Sequence, residues 1–329
     1  TTGYDRLGLI GGLFVDPAGE GPLTAAYGTQ TGASTDIAAV VHEARALAVR
    51  ALLAADLDRL TALLVEVCEG RRHQRDRTRD ELHEAVAELA AAFDVYRTYV
   101  RAEAGLARPT DVGRIEAARE AVAGRRPDID PDLLGFLADL LGLRLPDRRP
   151  LEDEWVMRFQ QLTSPAMAKG VEDTAFSRAT RLLALNEVGG DPARFGVPAD
   201  AFHEANAGAH ERWPTTMTAL STHDTKRSAD VRARLALLSE IPDAWADVCG
   251  RWMAASAGRW PGGDPDRHTQ HLLFQTLVGA WPLTVERAAA YLEKATREAK
   301  VRTSWTDPDP AFDGARDAWV AGFFADEAL

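Results

Sequence analysis

From Ser34 onward the apolar positions of this chain fall mostly at helical spacing. Ile37, Val40, Val41, Ala44, Leu47 and Ala48 recur every three or four residues, the interval that lines one face of an α-helix. Ser34 or Asp36 supplies a capping oxygen for its first free amides. Leu57, Leu60, Leu64 and Val67 predict a second helix over 56–69. A third starts at Thr78, where Glu81 three residues on completes a capping box. Its buried stripe is expected to run through Leu82, Val86, Leu89, Phe93, Tyr96 and Val100. Shorter helices are expected over 111–123 and 131–141; Asp130 caps the second, and Pro131 takes the first helical position, where a missing N–H costs nothing. Residues 34–145 therefore read as a helical domain.

The flanks have a different texture. Residues 1–33 are rich in glycine, with Pro17 and Pro22 around a short apolar stretch at 9–15, a pattern that predicts turns and one short strand. Pro146-Asp147-Arg148-Arg149-Pro150 reads as a linker, followed by a helix over 151–168. The stretch 181–188 fits strand or helix and stops at Gly189-Gly190-Asp191-Pro192. Threonines partly alternating with Met217, Ala219 and Leu220 make 215–222 the best strand candidate. Helices return over 228–239, 242–257, 265–280, 284–299 and 309–325, with Asp264-Pro265 and Thr284 as starts and Pro242, Pro261 and Pro282 as breaks. The expectation is a mainly α chain with two or three short strands, divided into 1–33, 34–145 and 146–329.

Composition narrows the function. With 329 residues, 46% of them hydrophobic, the chain can bury one full core and has material for two. A net charge of -12 argues against a nucleic-acid partner, whose phosphates it would repel. Arg71, Arg72, Arg75, Arg77 and Arg79 cluster, but acidic residues follow at once, so the run reads as a solvated helix approach. No apolar run nears the ~18 residues that span a bilayer, and no export leader is visible, so no membrane partner is expected. Cys68 and Cys249 are too few and too far apart for a disulfide framework, which suits a cytoplasmic protein. The chain opens at Thr1 in a glycine-containing turn and closes at Leu329 in a helical pattern, which together suggest a piece of a longer chain.

Three constellations can carry chemistry. Ser221-Thr222-His223-Asp224-Thr225-Lys226-Arg227 sets an imidazole, a carboxylate and two cations between the expected strand and a helix. Such a loop can bind sugar hydroxyls and favour positive charge at an anomeric carbon. It equally fits a capped helix start, with Asp224 or Ser228 as cap and the cations facing water. Lys169, Glu172 and Asp173, spaced by three and four, can share one side of a turn, as surface salt bridges also do. His268 with His271, and His203 with His210, have helical spacing but lack further ligands, so they read as helix-surface histidines; no metal or other cofactor is called for. Trp155, Trp213, Trp260, Trp281 and Trp305 can stack on sugar faces, though most are expected to anchor the core.

Several segments, in order, resemble the maltooligosyl trehalose synthase family: Thr1-Thr2-Gly3-Tyr4-Asp5, Gly12-Leu13-Phe14-Val15-Asp16, the run Gln160 to Phe176 containing Lys169-Gly170-Val171-Glu172-Asp173, Ala184-Leu185-Asn186-Glu187-Val188-Gly189-Gly190, Thr222-His223-Asp224-Thr225-Lys226-Arg227-Ser228, and Thr303-Ser304-Trp305-Thr306. The likeness covers nearly the whole length and is thinnest over 40–150. It implies an α-amylase-superfamily enzyme, here a large helical insertion domain plus an incomplete piece of a (β/α)8 barrel. It implies a mutase that turns the reducing-end α-1,4 linkage of a maltooligosaccharide into an α,α-1,1 linkage by a retaining mechanism. Asp224 then matches the transition-state-stabilising carboxylate and His223 the neighbouring hydrogen-bond donor. Lys169, Glu172, Asp173, Lys226 and Arg227 match residues of the pocket region. The nucleophilic Asp and the acid/base Glu are implied to lie before Thr1, and the eighth barrel strand beyond Leu329, so the implied partner is the remainder of the same enzyme chain and the chain alone is expected to be inactive. Ser177 departs from the family pattern, which has Tyr there. Two other readings remain: a helical interaction or carbohydrate-binding module without catalysis, and a hydrolase of the same linkage.

Overall fold

A computed structural model describes residues 3–263 and 265–325. The expected start signal at Asp264, the turn at Thr1-Thr2 and the helical close at Leu329 lie outside the described residues. The residues group into two compact units: unit 1 is Thr1–Val40 with Thr174–Leu329, and unit 2 is Val41–Asp173. Helix dominates both. The described residues hold no extended strand, and their one β-pairing is an isolated bridge between Arg101 and Leu106.

Unit 1 opens with α1 (Tyr4–Leu13) and α2 (Glu20–Thr31), where the glycine content had predicted turns. The glycines serve close packing. A Cβ on Gly12 would lie 2.3 Å from Val197 Cγ2, and one on Gly19 would lie 2.1 Å from the Ser239 carbonyl oxygen. The helix-propensity cost of a glycine, roughly 1 kcal/mol, is offset by burying Leu7, Leu23 and Tyr27. Next, α3 (Ile37–Leu47) starts at Asp36, whose carboxylate accepts from Ala39 N at 2.9 Å. It continues as a π-helical turn, Ala48–Leu52.

Unit 2 is built from α4 (Ala54–Glu69), α5 (Arg79–Ala92), α6 (Pro109–Arg125), α7 (Pro131–Leu141) and α8 (Pro150–Met167). The Thr78 capping box forms as expected, with Glu81 N donating to Thr78 Oγ1 and Thr78 N donating to Glu81. Asp130 caps α7 through Asp132 N at 2.8 Å. Leu57, Leu60, Leu64 and Val67 face one core with Leu82, Val86, Leu89, Trp155 and Phe159. The stripe expected through Val100 breaks earlier, because Phe93 turns to extended backbone. Beyond it the buried amide of Gln160 takes the place of a strand: it accepts from Val100 N at 2.8 Å and donates to Val100 O at 3.0 Å. This satisfies backbone groups that would otherwise be buried unpaired. The supposed linker at 146–150 leads straight into α8, with Pro150 at its first turn and Glu152 accepting from Arg149 N at 3.0 Å.

Unit 2 carries a buried charge cluster. Glu88 accepts from His42 Nε2 at 3.2 Å, Arg50 Nη2 at 2.9 Å and Arg126 Nη1 at 3.1 Å. The hydrogen bond from His42, helped by the charges of Arg50 and Arg126, outweighs desolvation and holds its pKa at about 2, against an ordinary 4.5. A carboxylate depressed by folding contributes stability above its unfolded pKa and loses it as pH falls through the folded one. The contribution, roughly 3 kcal/mol at most, is therefore expected to fade between pH 4.5 and about 2. Tm against pH for the wild type and for Glu88→Gln should converge across that window; parallel curves would show that Glu88 carries no such linkage.

Unit 1 resumes with α9 (Phe176–Arg178), α10 (Ala199–Arg212), α11 (Ala229–Ala236), α12 (Pro242–Ser256), α13 (Arg267–Ala280), α14 (Val285–Ala299) and α15 (Pro310–Phe324). The apolar core gathers Leu235, Trp245, Cys249, Leu273, Phe274, Leu292 and Trp319. Helix α10 falls where the sequence had suggested nothing regular. The expected strand over 215–222 is irregular chain, and 181–188 forms only a short 3-10 turn at Leu183–Leu185. The surface assignment of the α13 histidines also fails for His271, which is 1% exposed. Its ring lies 5.3 Å from Tyr27 and 5.9 Å from Trp245, and its Nδ1 meets Gln275 Nε2 at 3.2 Å. Burial, with His268 adding a smaller push, lowers its pKa to about 3, so it stays neutral inside the fold. No helix among the described residues is long and apolar enough to cross a membrane.

Candidate functional site

The segment Ser221–Arg227 forms a loop whose tip is open and whose base is buried. At the tip the His223 and Asp224 side chains are 89% and 65% exposed, with Nε2 and Oδ2 4.0 Å apart. The turn is closed locally: Asp224 N donates to Thr222 Oγ1 at 3.1 Å, and Thr225 Oγ1 donates to Thr222 O at 2.9 Å. Thr222 Oγ1 also lies 3.0 Å from Tyr4 Oη on α1. Tyr4 itself sits tight against Gly189, where φ is +74° and a Cβ would come within 3.0 Å of the Tyr4 Cβ, so both the torsion and the space call for glycine.

The helix-cap alternative for this loop is not what forms. Ser228 precedes α11 without a side-chain cap bond, and Ala229 N donates instead to Ser221 Oγ at 3.0 Å. The Asp224 carboxylate caps nothing among the described residues. Nor is Arg227 a solvated cation. It donates from Nη1 to Asn186 O at 3.2 Å and from Nη2 to Tyr291 Oη at 2.6 Å, so its role in the fold is to brace the loop.

Below the loop lies Glu187, one residue of the Ala184–Gly190 motif. Glu187 is 3% exposed and Arg232, on α11, 6%. Glu187 Oε1 accepts from Val188 N at 2.8 Å and Lys226 N at 2.7 Å; Oε2 accepts from Arg227 N and Arg232 Nη1, both at 3.1 Å. Arg232 also donates to Arg227 O at 2.5 Å and to Leu220 O. Both residues line a hollow of about 140 Å³ together with Asp5, Gly189, Gly190 and Arg194. The available signal was a lone carboxylate directly before an apolar residue and two glycines, which spacing alone does not distinguish from a surface acid.

In unit 2, Lys169, Glu172 and Asp173 lie on a π-helical segment, Ala168–Ala175, that continues α8. Lys169 Nζ donates to Asp173 Oδ2 at 3.0 Å, and Glu172 accepts from Tyr96 Oη. A Cβ on Gly170 would lie 2.6 Å from Arg45 Cα, so the segment packs closely on α3. Such π turns occur frequently at functional sites. These three residues belong to unit 2, and His223, Asp224, Lys226 and Arg227 to unit 1. Among the described residues no group of three His, Cys, Asp or Glu side chains is placed to hold a metal ion.

No family model matches the chain. Individual relatives do. The chain is 36% identical over 327 residues, 97% of its length, to a putative maltooligosyl trehalose synthase of Mycobacterium tuberculosis, of which it covers 39%. In structure it is similar over its whole length to the maltooligosyltrehalose synthase of Arthrobacter ramosus, with a TM-score of 0.82, 37% identity and 39% of that chain covered. A hypothetical maltooligosyl trehalose synthase of Sulfolobus tokodaii gives a TM-score of 0.75 at 28% identity, with 40% of that chain covered. Sequence and fold comparisons point to the same enzymes. Over the stretch it covers, the chain is similar in sequence and in fold to the maltooligosyl trehalose synthases. It spans about two-fifths of the length of the relatives it matches.

Proposed function

We propose that this chain carries part of the sugar pocket of an intramolecular glucosyl transferase. The reaction converts the reducing-end α-1,4 linkage of a maltooligosaccharide into an α,α-1,1 linkage. What supports this most is the Asp224 carboxylate: it stands at an exposed loop tip, it caps no helix among the described residues, and its loop is held from a buried base. In a retaining transfer, a carboxylate so placed favours the positive charge that develops at the anomeric carbon. His223 beside it donates to a hydroxyl of the same glucose, and Lys226 borders that site. Arg227 contributes by fixing the loop, since its guanidinium is engaged with Asn186 and Tyr291. Lys169, Glu172 and Asp173 are assigned to the pocket region through the family likeness. The nucleophile and the proton-donating acid are assigned to parts of the relatives that this chain does not match. The released glucose must stay bound and re-attack through its own anomeric hydroxyl, so the site has to exclude water to avoid hydrolysis.

The intact gene product, given maltopentaose, is expected to remove reducing ends while releasing little glucose. Stoichiometric release of sugar without loss of reducing ends would point to a hydrolase. The purified 329-residue chain is expected to show no turnover. Turnover by it would overturn the division of the catalytic set.

A further inference from the structure

We propose that Glu187, together with Arg232, is the positioning residue for the Asp224 and His223 tip; this rests on the functional reading above. The geometry is specific to that task. An ionised carboxylate offers about four acceptor sites, and all four of those on Glu187 are taken by donors within 3.1 Å. Two of the donors are the backbone amides of Lys226 and Arg227, the residues at which the loop ends. Arg232 reaches both stems at once, donating to the carbonyl of Leu220 before the loop and of Arg227 at its end. The buried pair thus sets the separation and the angle of the two stems, while neither residue is at the exposed tip. A planar guanidinium fork can hold two carbonyls and a carboxylate in one fixed arrangement; a single ammonium cannot.

Glu187→Gln is a sharp probe because each oxygen accepts two bonds. Whichever oxygen becomes an NH₂ group, two existing donors face a new donor, and if it is turned toward Oε2 these are Arg227 N and the Arg232 guanidinium. The stem must then shift. In the intact gene product acting on maltopentaose, kcat is expected to fall on the order of 100-fold, since a displacement near 1 Å has that scale of effect. KM should change far less.

A double-mutant cycle separates positioning from a general loss of fold. Added to Asp224→Asn, Glu187→Gln should cost no more than about threefold further, because the group it positions is already disabled. Multiplying losses would overturn the inference. So would a wild-type rate for folded Glu187→Gln beside a disabled Asp224→Asn, which would leave the functional reading standing. Full activity of Asp224→Asn would overturn both. Should Glu187→Gln fail to fold, Arg232→Lys keeps a cation beside Glu187 but cannot bridge both stems. It is expected to lower kcat about tenfold with the same lack of additivity, and additive behaviour there would overturn the inference equally.

Discussion

Asp224→Asn in the intact gene product is expected to lower kcat on the order of 10²–10³-fold while leaving Tm unchanged. The two halves of that expectation have one origin. Within the described residues the carboxylate caps no helix, and the bond that shapes its turn comes from the backbone amide, Asp224 N to Thr222 Oγ1. Asn keeps that amide, the volume and the rotamer. What it removes is the negative charge, and charge is what a cationic anomeric centre requires. Steady-state rates on maltopentaose, taken beside a melting curve, check both halves. A wild-type rate would remove Asp224 from the catalytic set, and a large fall in Tm would mean that the side chain has a structural duty.

The largest effect on stability is expected at Trp155. Its ring is fully buried in unit 2, stacks on Phe159 at 5.3 Å and donates from Nε1 to Leu60 O at 3.1 Å. Phe159 in turn meets Phe93 edge-on at 5.4 Å. Trp155→Ala removes the stacking partner of Phe159 and leaves a cavity that rigid helices fill poorly, so a loss of about 3–5 kcal/mol is expected. Trp155→Phe should cost less, because most of the stacking surface survives. Chemical denaturation of the 329-residue chain reads both. A loss under about 1 kcal/mol for the alanine variant, the scale of an ordinary substitution, would show that the unit 2 core is not organised around this ring.

Leu57, Leu60, Leu64 and Val67 are legible in the sequence because one helix buries one face, and that geometry prints itself as spacing. Thr78 with Glu81, and Asp130 with Pro131, are legible because capping is local chemistry. The helices at 4–13 and 20–31 were hidden: glycine reads as a breaker, whereas here Gly12 and Gly19 admit Val197 and Ser239, partners far along the chain. His271 was misplaced for the same reason, since only the fold brings Tyr27 and Trp245 around it. At the candidate site, the motif singles out His223 and Asp224 as an expectation, while the threonines before them suggest a strand that does not form. Glu187 escaped notice because its work is done on backbone amides some forty residues away, and amides carry no sequence signature.

The division of the chain has a consequence for how it is made. Unit 1 is assembled from two stretches, and the first is tied to the second at several points: Asp16 N to Ser239 Oγ, Tyr27 Oη to Arg178 O, and Gln30 Nε2 to Ala246 O. A ribosome releases α1 and α2 long before those partners exist, whereas everything unit 2 requires emerges in one uninterrupted run. The inserted unit is thus free to mature early, and once it is compact it draws together the two ends it separates, reducing the entropy that unit 1 must lose to close. Until residues 239 and 246 have been made, α1 and α2 lack the Ser239 and Ala246 partners that hold them in unit 1.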